Sequence, residues 1–546
     1  MSGNADVLVV GAGPSGIIVT NELLRRGVDV RWIDSRPAPR GTTRAFTVHA
    51  RTFEVLEHIG ITHRILEVNA FCPGNRFNIQ EMNLPMEEMP VLDFRKLENT
   101  RYNFYGKVNQ QDLETILRNH IASQHSFSPE WGVECESVTQ QDTGITARIH
   151  DHASGTSETV HPSWVVGADG VHSTVRTSCG LEMTGDAYKD DDSGSDGYFT
   201  MSMMDVPLDG YEGDDDWVNY HFSAKNWMLI TRLPDGNHRV YISGELEKEL
   251  DDTDDHIAVF QKGLDIFAPS VRFLRNQKAT RWKIYRKIAE DYSRGNVFLC
   301  GDACHVRSPA GGQGMNCCML DAFNLGWKLA SVIQGYSPGS ILESYKEERK
   351  PVAQLVQGFA ERMHNVLFDH SRTVEQRIVD TRDKVWHDEC INGISGISHS
   401  YRDVIWQPDG LSELPDGPVA GDRAPNAKLN ETPALWLHDV YRHTRATLLL
   451  MPSDESELEN CRQIIRDIGR DYGASVKVVV AFTEQHPDFG VDQLYLANTG
   501  ELEKWYGFDG SGRMYLVRPD LCIGCRGSIT DISAMRDYLS HWFSPR

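Results

Sequence analysis

The sequence lacks the features of a secreted or membrane-spanning protein. Its first residues, MSGNADVLVVGAG, contain no basic segment followed by an apolar stretch and a cleavage site, so we expect no secretory signal. No run of about 18 apolar residues occurs, which predicts that no helix crosses a membrane. The last residues, HWFSPR, match no lipidation or retention motif. These absences predict a soluble, cytoplasmic protein without a membrane partner.

Cysteine is present, but without the spacing of a disulfide framework or a metal site. The chain has 11 cysteines, an odd number, scattered along 546 residues, a pattern typical of reduced thiols. Cys522 and Cys525 form a lone CxxC with no second pair at zinc-binding spacing. We therefore predict no metal site.

Positive charge is also scarce, because 55 Lys and Arg stand against 78 Asp and Glu, for a net charge of −23. The acidic residues partly cluster, at 189–196, 212–217 and 247–255, in runs typical of solvated loops. Phosphate backbones require clustered Lys and Arg, so the composition argues against a nucleic-acid partner. The hydrophobic content of 40% is ample for a large core, and the length suggests several domains.

The stretch 6–36 has the pattern of a strand, a glycine-rich turn, a helix and a second strand. Val7–Val10 is continuously apolar, as expected for a parallel strand that is buried on both faces. The motif GAGPSG follows, and the second strand, Val28–Ile33, ends on Asp34. This order of elements predicts a dinucleotide-binding unit.

Each glycine of this motif has a mechanical role in such a unit. Gly11 permits the tight turn, Gly13 lets a pyrophosphate approach the backbone, and Gly16 lets the helix pack closely on the strand. The N-terminus of the helix offers free N–H groups to the phosphates. Asp34 can accept hydrogen bonds from ribose hydroxyls.

A second glycine-rich stretch, 295–330, indicates which dinucleotide binds, FAD or NAD(P). An apolar strand, Val297–Cys300, is followed by Asp302, a loop at Pro309–Asn316 and a predicted helix from about Met319. FAD needs a second close approach of the backbone, because its flavin end lies far from its adenosine end, whereas a nicotinamide dehydrogenase does not. We therefore predict FAD, with Asp302 at the ribityl chain and the loop at the isoalloxazine ring. A third segment, WVVGADGVHSTVR around Asp169, repeats the order of strand, glycine, acid and helix start.

These three segments occur in the order found in the class A FAD-dependent aromatic hydroxylases, and the whole chain resembles that family, in particular its phenol-hydroxylase-like branch. Two smaller marks of the family also match, TRAFTVHARTFEVLEHIG and VNQQDLETIL. The resemblance implies non-covalent FAD bound by Gly11, Gly13, Ser15, Gly16, Asp34, Ser35, Arg36, Arg44, Gln110, Asp169, Gly301, Asp302, Pro309, Gly312, Gly314, Met315 and Asn316.

The resemblance also implies the reaction. Members of the family reduce FAD with NADH or NADPH and let it react with O₂, and the resulting C4a-hydroperoxide transfers a hydroxyl group to an electron-rich aromatic ring. The implied partners are therefore a small phenolic or polyketide-like aromatic, O₂ and NAD(P)H. No second GxGxxG occurs, so the segment with Asp169, Gly170 and Arg176 is expected to serve both FAD and the reductant.

Alternating strands at 217–244 are the expected wall of the substrate site. Tyr241 and Arg239 are the expected catalytic residues, since a Tyr can relay the proton of a phenol and an Arg can stabilise the phenolate. Phe46 stands where phenol hydroxylases have a carboxylate base, so we consider His221 as base, against the alternative that it is a structural histidine. Lys287 stands at a position where members of the family usually have an arginine. The predicted substrate-binding residues are Phe46, Trp217, Tyr220, Trp227, Met228 and Pro309.

The predicted fold class is α/β, with a Rossmann-type FAD-binding domain interleaved with a mixed β-sheet substrate domain, and a thioredoxin-like domain at the C-terminus. The place of the thioredoxin cysteines, about MPSDESELE, has no cysteine, so we interpret Cys522 and Cys525 as incidental. The helical segment that begins at residue 351 has an apolar face, which is compatible with packing inside the subunit or between the two subunits of a homodimer. The predicted bounds are 1–70, 101–182 and 285–350 for the FAD domain, 71–100 and 183–284 for the substrate domain, 351–410 for a helical segment, 411–425 for a linker and 426–546 for the C-terminal domain.

Two alternative functions stay open. A Baeyer–Villiger or epoxidising monooxygenase could use the same fold, and a flavin-binding interaction protein without turnover is possible in another class. The intact glycine-rich loop after Asp302 argues against the second alternative, because it supplies the parts that a working flavin site needs.

Overall fold

The computed structural model describes residues 5–41, 44–80, 88–188, 199–211, 216–275, 277–368, 372–409, 414, 416–431, 434–482, 488–495, 500–508 and 511–546. The acidic run predicted as a loop at 189–196 lies outside these residues, as do parts of the run at 212–217 and of the predicted linker. Within the described ranges, no helix is both long and apolar enough to cross a bilayer.

The helices of the described residues are α1 (Pro14–Leu24), α2 (Ala50–Ile59), α3 (Thr62–Glu67), α4 (Gln110–His125), α5 (Thr174–Ser178), α6 (Glu245–Lys248), α7 (His256–Phe267), α8 (Gly314–Ile333), α9 (Glu343–Phe368), α10 (Val374–Arg382), α11 (Lys384–Ser395), α12 (Leu437–Val440), α13 (Leu458–Tyr472), α14 (Gly500–Tyr506) and α15 (Ser533–Trp542).

The strands before residue 170 are β1 (Val7–Val10), β2 (Val30–Asp34), β3 (Thr47–Val48), β4 (Ala70–Cys72), β5 (Gly74–Ile79), β6 (Val91–Asp93), β7 (Tyr105–Lys107), β8 (Glu130–Trp131), β9 (Val133–Gln141), β10 (Gly144–Asp151), β11 (Thr156–Val160) and β12 (Trp164–Gly167). Those that follow are β13 (Met183–Ala187), β14 (Thr200–Val206), β15 (Leu208–Asp209), β16 (Val218–Phe222), β17 (Asn226–Arg232), β18 (His238–Gly244), β19 (Arg272–Phe273), β20 (Thr280–Lys283), β21 (Tyr285–Ala289), β22 (Ser293–Arg294), β23 (Val297–Leu299), β24 (His305–Val306), β25 (Lys428–Glu431), β26 (Ala434–Trp436), β27 (Ala446–Met451), β28 (Val476–Phe482), β29 (Asp492–Tyr495), β30 (Arg513–Val517) and β31 (Ile523–Ser528).

A six-stranded sheet in the order β22-β23-β12-β1-β2-β8 brings the three motif segments together. Its central strands are parallel: β1 pairs with β12 and β2, and β12 pairs with β23. Each of β1, β12 and β23 is followed by one of the three motifs, so all three motifs lie at the same carboxyl edge of the sheet. That edge is where ligands bind in doubly wound folds. The α/β fold with a Rossmann-type unit is therefore confirmed.

A seven-stranded sheet in the order β20-β14-β18-β17-β16-β5-β6 stands apart from the first. Its central strands are antiparallel, and Tyr241 of β18 is opposite Met203 of β14 on one side and Leu229 of β17 on the other. Tyr220 of β16 is opposite Leu229 in turn. Because alternate residues of a strand face the same side, these four side chains form one row on one face of the sheet.

The C-terminal unit contains a five-stranded mixed sheet in the order β29-β28-β27-β30-β31, with β27 parallel to β28 and antiparallel to β30. Residues of α13 and α15 complete a hydrophobic core on this sheet. Cys522 and Cys525 are both buried, and burial raises the pKa of each thiol to about 12. Both are therefore unreactive thiols. The thioredoxin-like assignment, the domain bounds and the homodimer stay predictions.

A buried group of charges, called here the tail cluster, joins the C-terminal unit to α8 and α9. Arg518 binds both carboxylate oxygens of Glu348 at 2.7 Å, and Lys328 donates to the same carboxylate at 2.7 Å. Asn324 donates to Glu348 at 2.8 Å and to Asp520 at 2.9 Å. The first turn of α8 lies at the carboxyl edge of the parallel sheet, so the tail cluster fixes a helix that reaches the candidate site.

Candidate active site

A cavity of about 1060 Å³ lies between the carboxyl edge of the parallel sheet and one face of the seven-stranded sheet. Cavities that bind drug-sized ligands usually have about 300–1,000 Å³. This cavity can therefore hold an extended ligand and a smaller second molecule. The sequence-predicted cofactor residues that line it are Gly11, Gly13, Ser15, Asp34, Ser35, Arg36, Arg44, Gln110, Asp169, Asp302, Pro309, Gly312, Gly314 and Met315.

In the first motif, Gly11 and Gly16 allow close packing of the backbone, whereas Gly13 borders open space. A Cβ atom on Gly11, which has a φ of +108°, would lie 2.3 Å from the carbonyl oxygen of Ala168, and one on Gly16 would lie 1.9 Å from that of Gly11. At Gly13, by contrast, no atom lies within 4 Å of the Cβ position. This open space is at the N-terminus of α1, where phosphate groups bind. The residues present therefore fit the pyrophosphate of FAD.

Asp34 is held ionised at the end of β2. Burial acts to raise its pKa, but hydrogen bonds from Arg36 and from the Ala12 N–H hold the pKa of Asp34 below its usual value. Arg36 donates to both carboxylate oxygens at 2.8 Å, and the Ala12 N–H donates at 2.7 Å. With the Arg36 backbone N–H at 2.9 Å, the roughly four acceptor sites of a carboxylate are occupied. A ribose hydroxyl must therefore displace an Arg36 contact to reach Asp34.

Hydrogen bonds within the protein hold the segment after β12 in place. The Val175 N–H donates to Asp169 at 3.1 Å, and burial raises the pKa of the Asp169 carboxyl. Arg176 donates to the carbonyl of Ala303 at 3.1 Å and to that of Val171 at 2.9 Å. Arg176 therefore ties two of the motif segments to each other, and Asp169 faces the cavity between them.

The segment after β23 approaches the first motif closely. Gly301 has a φ of +67°, and a Cβ atom there would lie 2.1 Å from the Ser15 hydroxyl oxygen. Asp302, the next residue, is exposed to the cavity. Its side chain accepts a hydrogen bond from the Cys318 thiol at 3.4 Å. The glycine thus allows contact between motifs, and the carboxylate beside it faces the ligand space.

The loop before α8 is fixed by side chains that the sequence analysis did not select. The carbonyl of Gly312 accepts hydrogen bonds from Thr47 at 3.1 Å, from His49 at 3.2 Å and from Asn316 at 2.9 Å. Burial lowers the pKa of His49 to about 4, so its ring is neutral. Asn316, which the sequence analysis placed against the cofactor, turns toward this loop and does not line the cavity. The segment TVHA (47–50) matches a mark of the family, but the sequence alone does not show that Thr47 and His49 contact the Gly312 carbonyl.

An ion cluster lies behind the same loop. Asp321 accepts hydrogen bonds from Arg349 at 2.8 Å and from His305 at 2.6 Å, and a second N–H of Arg349 lies 3.7 Å from the Cys317 sulfur. Burial alone would raise the pKa of Cys317, but Arg307 and His305 bring it to about 7. One potential metal-ligand atom from each of His305, Cys317 and Asp321 lies within 4.8 Å of the others. Two guanidinium groups flank them, so we interpret the cluster as an anchor for α8.

The seven-stranded sheet provides the other end of the cavity. Six side chains from β14, β16, β17 and β18, called here the floor, line it from the sheet: Met201, Met203, Tyr220, Trp227, Leu229 and Tyr241. Each of them is only 2–5% exposed, so the floor is closed to bulk water. Phe46, Pro309 and the last two residues of α9, Leu367 and Phe368, also line this end of the cavity. This end of the cavity is therefore lined largely by apolar and aromatic side chains.

The Tyr241 hydroxyl has a protein partner, the backbone carbonyl of Arg44, to which it donates at 2.7 Å. Arg239 donates to the same carbonyl at 2.8 Å, and its other N–H groups bind the Asp205 carboxylate at 2.7 and 2.6 Å. Arg239 does not line the cavity, so it acts behind Tyr241. The sequence analysis did not select Asp205, because only the strand register places it opposite Arg239. Burial raises the pKa of Tyr241, against the opposing effect of Arg239, so the hydroxyl keeps its proton at neutral pH.

Besides Asn316 and Arg239, three side chains predicted for the substrate site do not reach the cavity. His221 follows Tyr220 on β16 and therefore faces the other side of the sheet, where its ring lies 5.9 Å from that of Phe267. Burial lowers the pKa of His221 to about 4. Met228 packs on the same side, in the core with α7, and Trp217 also lies outside the cavity lining. We therefore no longer assign His221, Met228 or Trp217 to the site.

Comparisons with known proteins show the family and the fold of this chain. A protein family described as FAD binding domain matches residues 4–360. Pentachlorophenol 4-monooxygenase of Sphingobium chlorophenolicum is 37% identical over 535 residues, which cover 97% of this chain and 95% of that protein. Among solved structures, the anhydrotetracycline hydroxylase OxyS of Streptomyces rimosus is similar with a TM-score of 0.76 at 23% identity over 100% of both chains. A ternary complex of aklavinone-11 hydroxylase with FAD and aklavinone is similar with a TM-score of 0.75 at 22% identity over 99% of both.

Proposed function

The chain belongs to the FAD-binding-domain family of flavoprotein aromatic hydroxylases, and from this premise we propose how its cavity divides between cofactor and substrate. The protein is an FAD-dependent monooxygenase that uses NAD(P)H and O₂. We propose that it adds a hydroxyl group to a phenolic ring held on the floor. The observation that carries this proposal is one cavity that joins the open phosphate position at Gly13 to the aromatic floor around Tyr241.

The cofactor residues are assigned as follows in this proposal. Gly13 and the N-terminus of α1 receive the pyrophosphate, and Asp34 receives the ribose after Arg36 moves. Asp302 accepts a hydrogen bond from the ribityl chain. The loop around Gly312 and the N-terminus of α8 take the flavin ring, because a positive helix end favours the electron-rich edge of that ring.

When bound, FAD supplies electron transfer from NAD(P)H and the activation of O₂. The protein's own contribution is to hold the aromatic ring, to exclude water and to control the charge of the phenol oxygen. The floor residues do the first two. The buried floor and the apolar end of α9 provide a largely apolar surface around the ring.

Tyr241 is the group that we propose contacts the phenol oxygen. With its proton donated to the Arg44 carbonyl, its oxygen can accept the O–H of a neutral phenol. If the phenol is ionised, the Tyr241 O–H can turn toward it, because Arg239 continues to hold the Arg44 carbonyl. A donor at this position stabilises negative charge on the substrate oxygen, which makes the ring more electron-rich and easier to hydroxylate.

The cofactor assignment predicts that Gly13→Val weakens FAD binding by about 10-fold to 100-fold. The branched side chain would occupy the open phosphate position, and overfilling a packed site costs about 1–3 kcal/mol. Gly339→Val is the matched control, because its Cβ position is equally open but lies outside the cavity. Titration of the apoprotein with FAD, followed by flavin fluorescence, measures both. Equal FAD affinity in the two variants would contradict the placement of the pyrophosphate.

The function itself is tested by incubating the holoenzyme with phenols, NAD(P)H and O₂. We expect phenol-stimulated NAD(P)H oxidation and a product with one added hydroxyl group, identified by mass spectrometry. A ring-opened or lactone product would instead support Baeyer–Villiger chemistry. Tight FAD binding with no turnover for any phenol or ketone would support a non-catalytic flavoprotein.

A further inference from the structure

Arg239 and Asp205 form an ion pair on the same face of the seven-stranded sheet as Tyr241, because alternate residues of a strand share a face. Two N–H groups of Arg239 donate to the two carboxylate oxygens at 2.7 and 2.6 Å, a bidentate geometry that makes a strong and well-oriented pair. The cross-strand neighbour of Arg239 on β17 is the uncharged Thr231. The Arg239 side chain is 2% exposed and that of Asp205 is 29% exposed. A buried cation is therefore neutralised by a carboxylate that still reaches solvent.

This ion pair lies beside the hydroxyl group that we place at the substrate. The Nη1 atom of Arg239 and the Tyr241 hydroxyl both donate to the Arg44 carbonyl, at 2.8 and 2.7 Å. Because the two donors share one acceptor atom, the guanidinium and the hydroxyl are close neighbours. Burial has the largest effect on the pKa of Tyr241 and raises it, while Arg239 acts to lower this pKa and Asp205 acts to raise it. The same opposing charges act on a phenol oxygen that Tyr241 holds.

We propose that Asp205 is a positioning residue that neutralises Arg239 and thereby controls the ionisation of the phenol held by Tyr241. An opposite charge within about 4–6 Å favours the ionised form of an acid. An uncompensated Arg239 would therefore hold the substrate, and any hydroxylated product, as a tightly bound phenolate. With Asp205 in place, the site binds and releases neutral phenols. This inference rests on the proposed function, and in particular on the contact between Tyr241 and the phenol oxygen.

Other charged groups near Tyr241 belong to other elements of the fold. The Arg44 guanidinium lies over the ring of Trp282, 4.9 Å from its centroid, and acts to lower the pKa of Tyr241. Arg275 donates to the main-chain carbonyl of Asp205 at 3.3 Å. Titratable side chains that line the cavity from other elements include Tyr105, Tyr220, Lys283 and Arg307. A substitution of Asp205 leaves all of these side chains unchanged, so its difference from wild type reports the charge of Asp205.

The first experiment measures the ionisation of a bound phenol, without turnover. The probe is 4-nitrophenol, which ionises near neutral pH and whose phenolate absorbs visible light, so difference spectra of the holoenzyme without NAD(P)H give its ionised fraction. In Asp205→Asn, the pH at which half of the bound probe is ionised should fall by about one unit. The phenolate should then bind about 10-fold more tightly, relative to the neutral phenol, than in wild type.

Asp209→Asn is the matched control for this experiment. It removes the same charge from an exposed residue of β15, four positions further along the chain. Because Asp209 does not contact Arg239 in the described part of the chain, the ionisation midpoint of the bound probe should stay at the wild-type value.

The second experiment shows whether Asp205 acts through Arg239. In the double variant Asp205→Asn with Arg239→Gln, both charges of the pair are absent, so the midpoint should return to near the wild-type value. Arg239→Gln alone removes the cation and keeps the carboxylate, so the midpoint should rise. This opposite shift tests the proposal even if Asp205→Asn does not retain FAD. A purely structural role of Asp205 predicts neither the return nor the opposite shift.

The failures of the two proposals are distinguishable. An unchanged midpoint in an Asp205→Asn variant that retains FAD, or a shift that persists in the double variant, would overturn the role of Asp205 while the proposed function stands. If 4-nitrophenol does not bind, a phenol that stimulates NAD(P)H oxidation replaces it, with its affinity measured across pH. If no phenol binds or stimulates NAD(P)H oxidation, the proposed function is wrong, and the role of Asp205 with it.

Discussion

Tyr241→Phe is expected to lower hydroxylation by about 100-fold while FAD content stays at the wild-type level. The substitution removes one hydroxyl and keeps the ring, so packing on the floor is preserved. Arg239 still holds the Arg44 carbonyl at 2.8 Å, which keeps that segment in place. The loss of a positioned acid–base group costs about 10²-fold or more in rate.

The signature of this variant is uncoupling. NAD(P)H oxidation should fall less than product formation, because oxygen that is not transferred to the ring leaves as hydrogen peroxide. Product, NAD(P)H and peroxide are therefore measured in the same reaction. Tyr220→Phe is the matched control: its ring also lines the cavity, but its hydroxyl faces the Gly311 backbone, so we expect a much smaller effect. Wild-type coupling in Tyr241→Phe would remove Tyr241 from the mechanism.

Glu348→Gln is expected to lower the free energy of unfolding by about 3–5 kcal/mol, the cost of leaving buried partners of an ion pair uncompensated. Glu348 is the carboxylate of the tail cluster that binds both Arg518 and Lys328. Glu347→Gln is the control, because this neighbour on α9 is exposed. Urea unfolding at a fixed FAD concentration measures the difference. Equal unfolding midpoints for the two variants would show that the tail cluster does not stabilise the fold.

The pH dependence of this effect has a definite sign. Burial alone would raise the pKa of Glu348, but Arg518 and Lys328 hold it well below its usual value. A carboxylate whose pKa is lowered by folding stabilises the protein above its unfolded pKa of about 4.3. Its contribution is lost as the pH falls through the folded pKa. The difference between wild type and Glu348→Gln should therefore be constant near neutral pH and shrink in acid.

The cofactor end of the site could be predicted from the sequence because its signals are local. A strand, a glycine turn and a helix follow one another within a unit of about 30 residues, and Gly13 and Asp302, the residues predicted to contact FAD, both line the cavity. The helix predicted from about Met319 begins earlier, at Gly314. Its first turn is held by hydrogen bonds from Asn316 to the carbonyls of Gly312 and Thr47, and the contact with Thr47 joins residues that are distant in sequence.

The substrate end could be predicted only in part, because its strands are buried on both faces. All five residues of β16 are buried, since the cavity lies on one face and the core with α7 on the other. Polar and apolar residues therefore do not alternate, and the sequence could not tell that Tyr220 faces the cavity while His221 faces away. The partnership of Asp205 with Arg239 depends on strand register, which also has no local signal.

The central claim is that this protein transfers one atom of dioxygen to a phenolic ring. The most direct test is to incubate the holoenzyme with NAD(P)H and a methylphenol under O₂ labelled with heavy oxygen, and to determine the mass of the product by mass spectrometry. We predict one labelled oxygen atom in the new hydroxyl group, and no label when ordinary O₂ and labelled water are used instead. A product that takes its oxygen from water, or that carries no added oxygen, would contradict the claim.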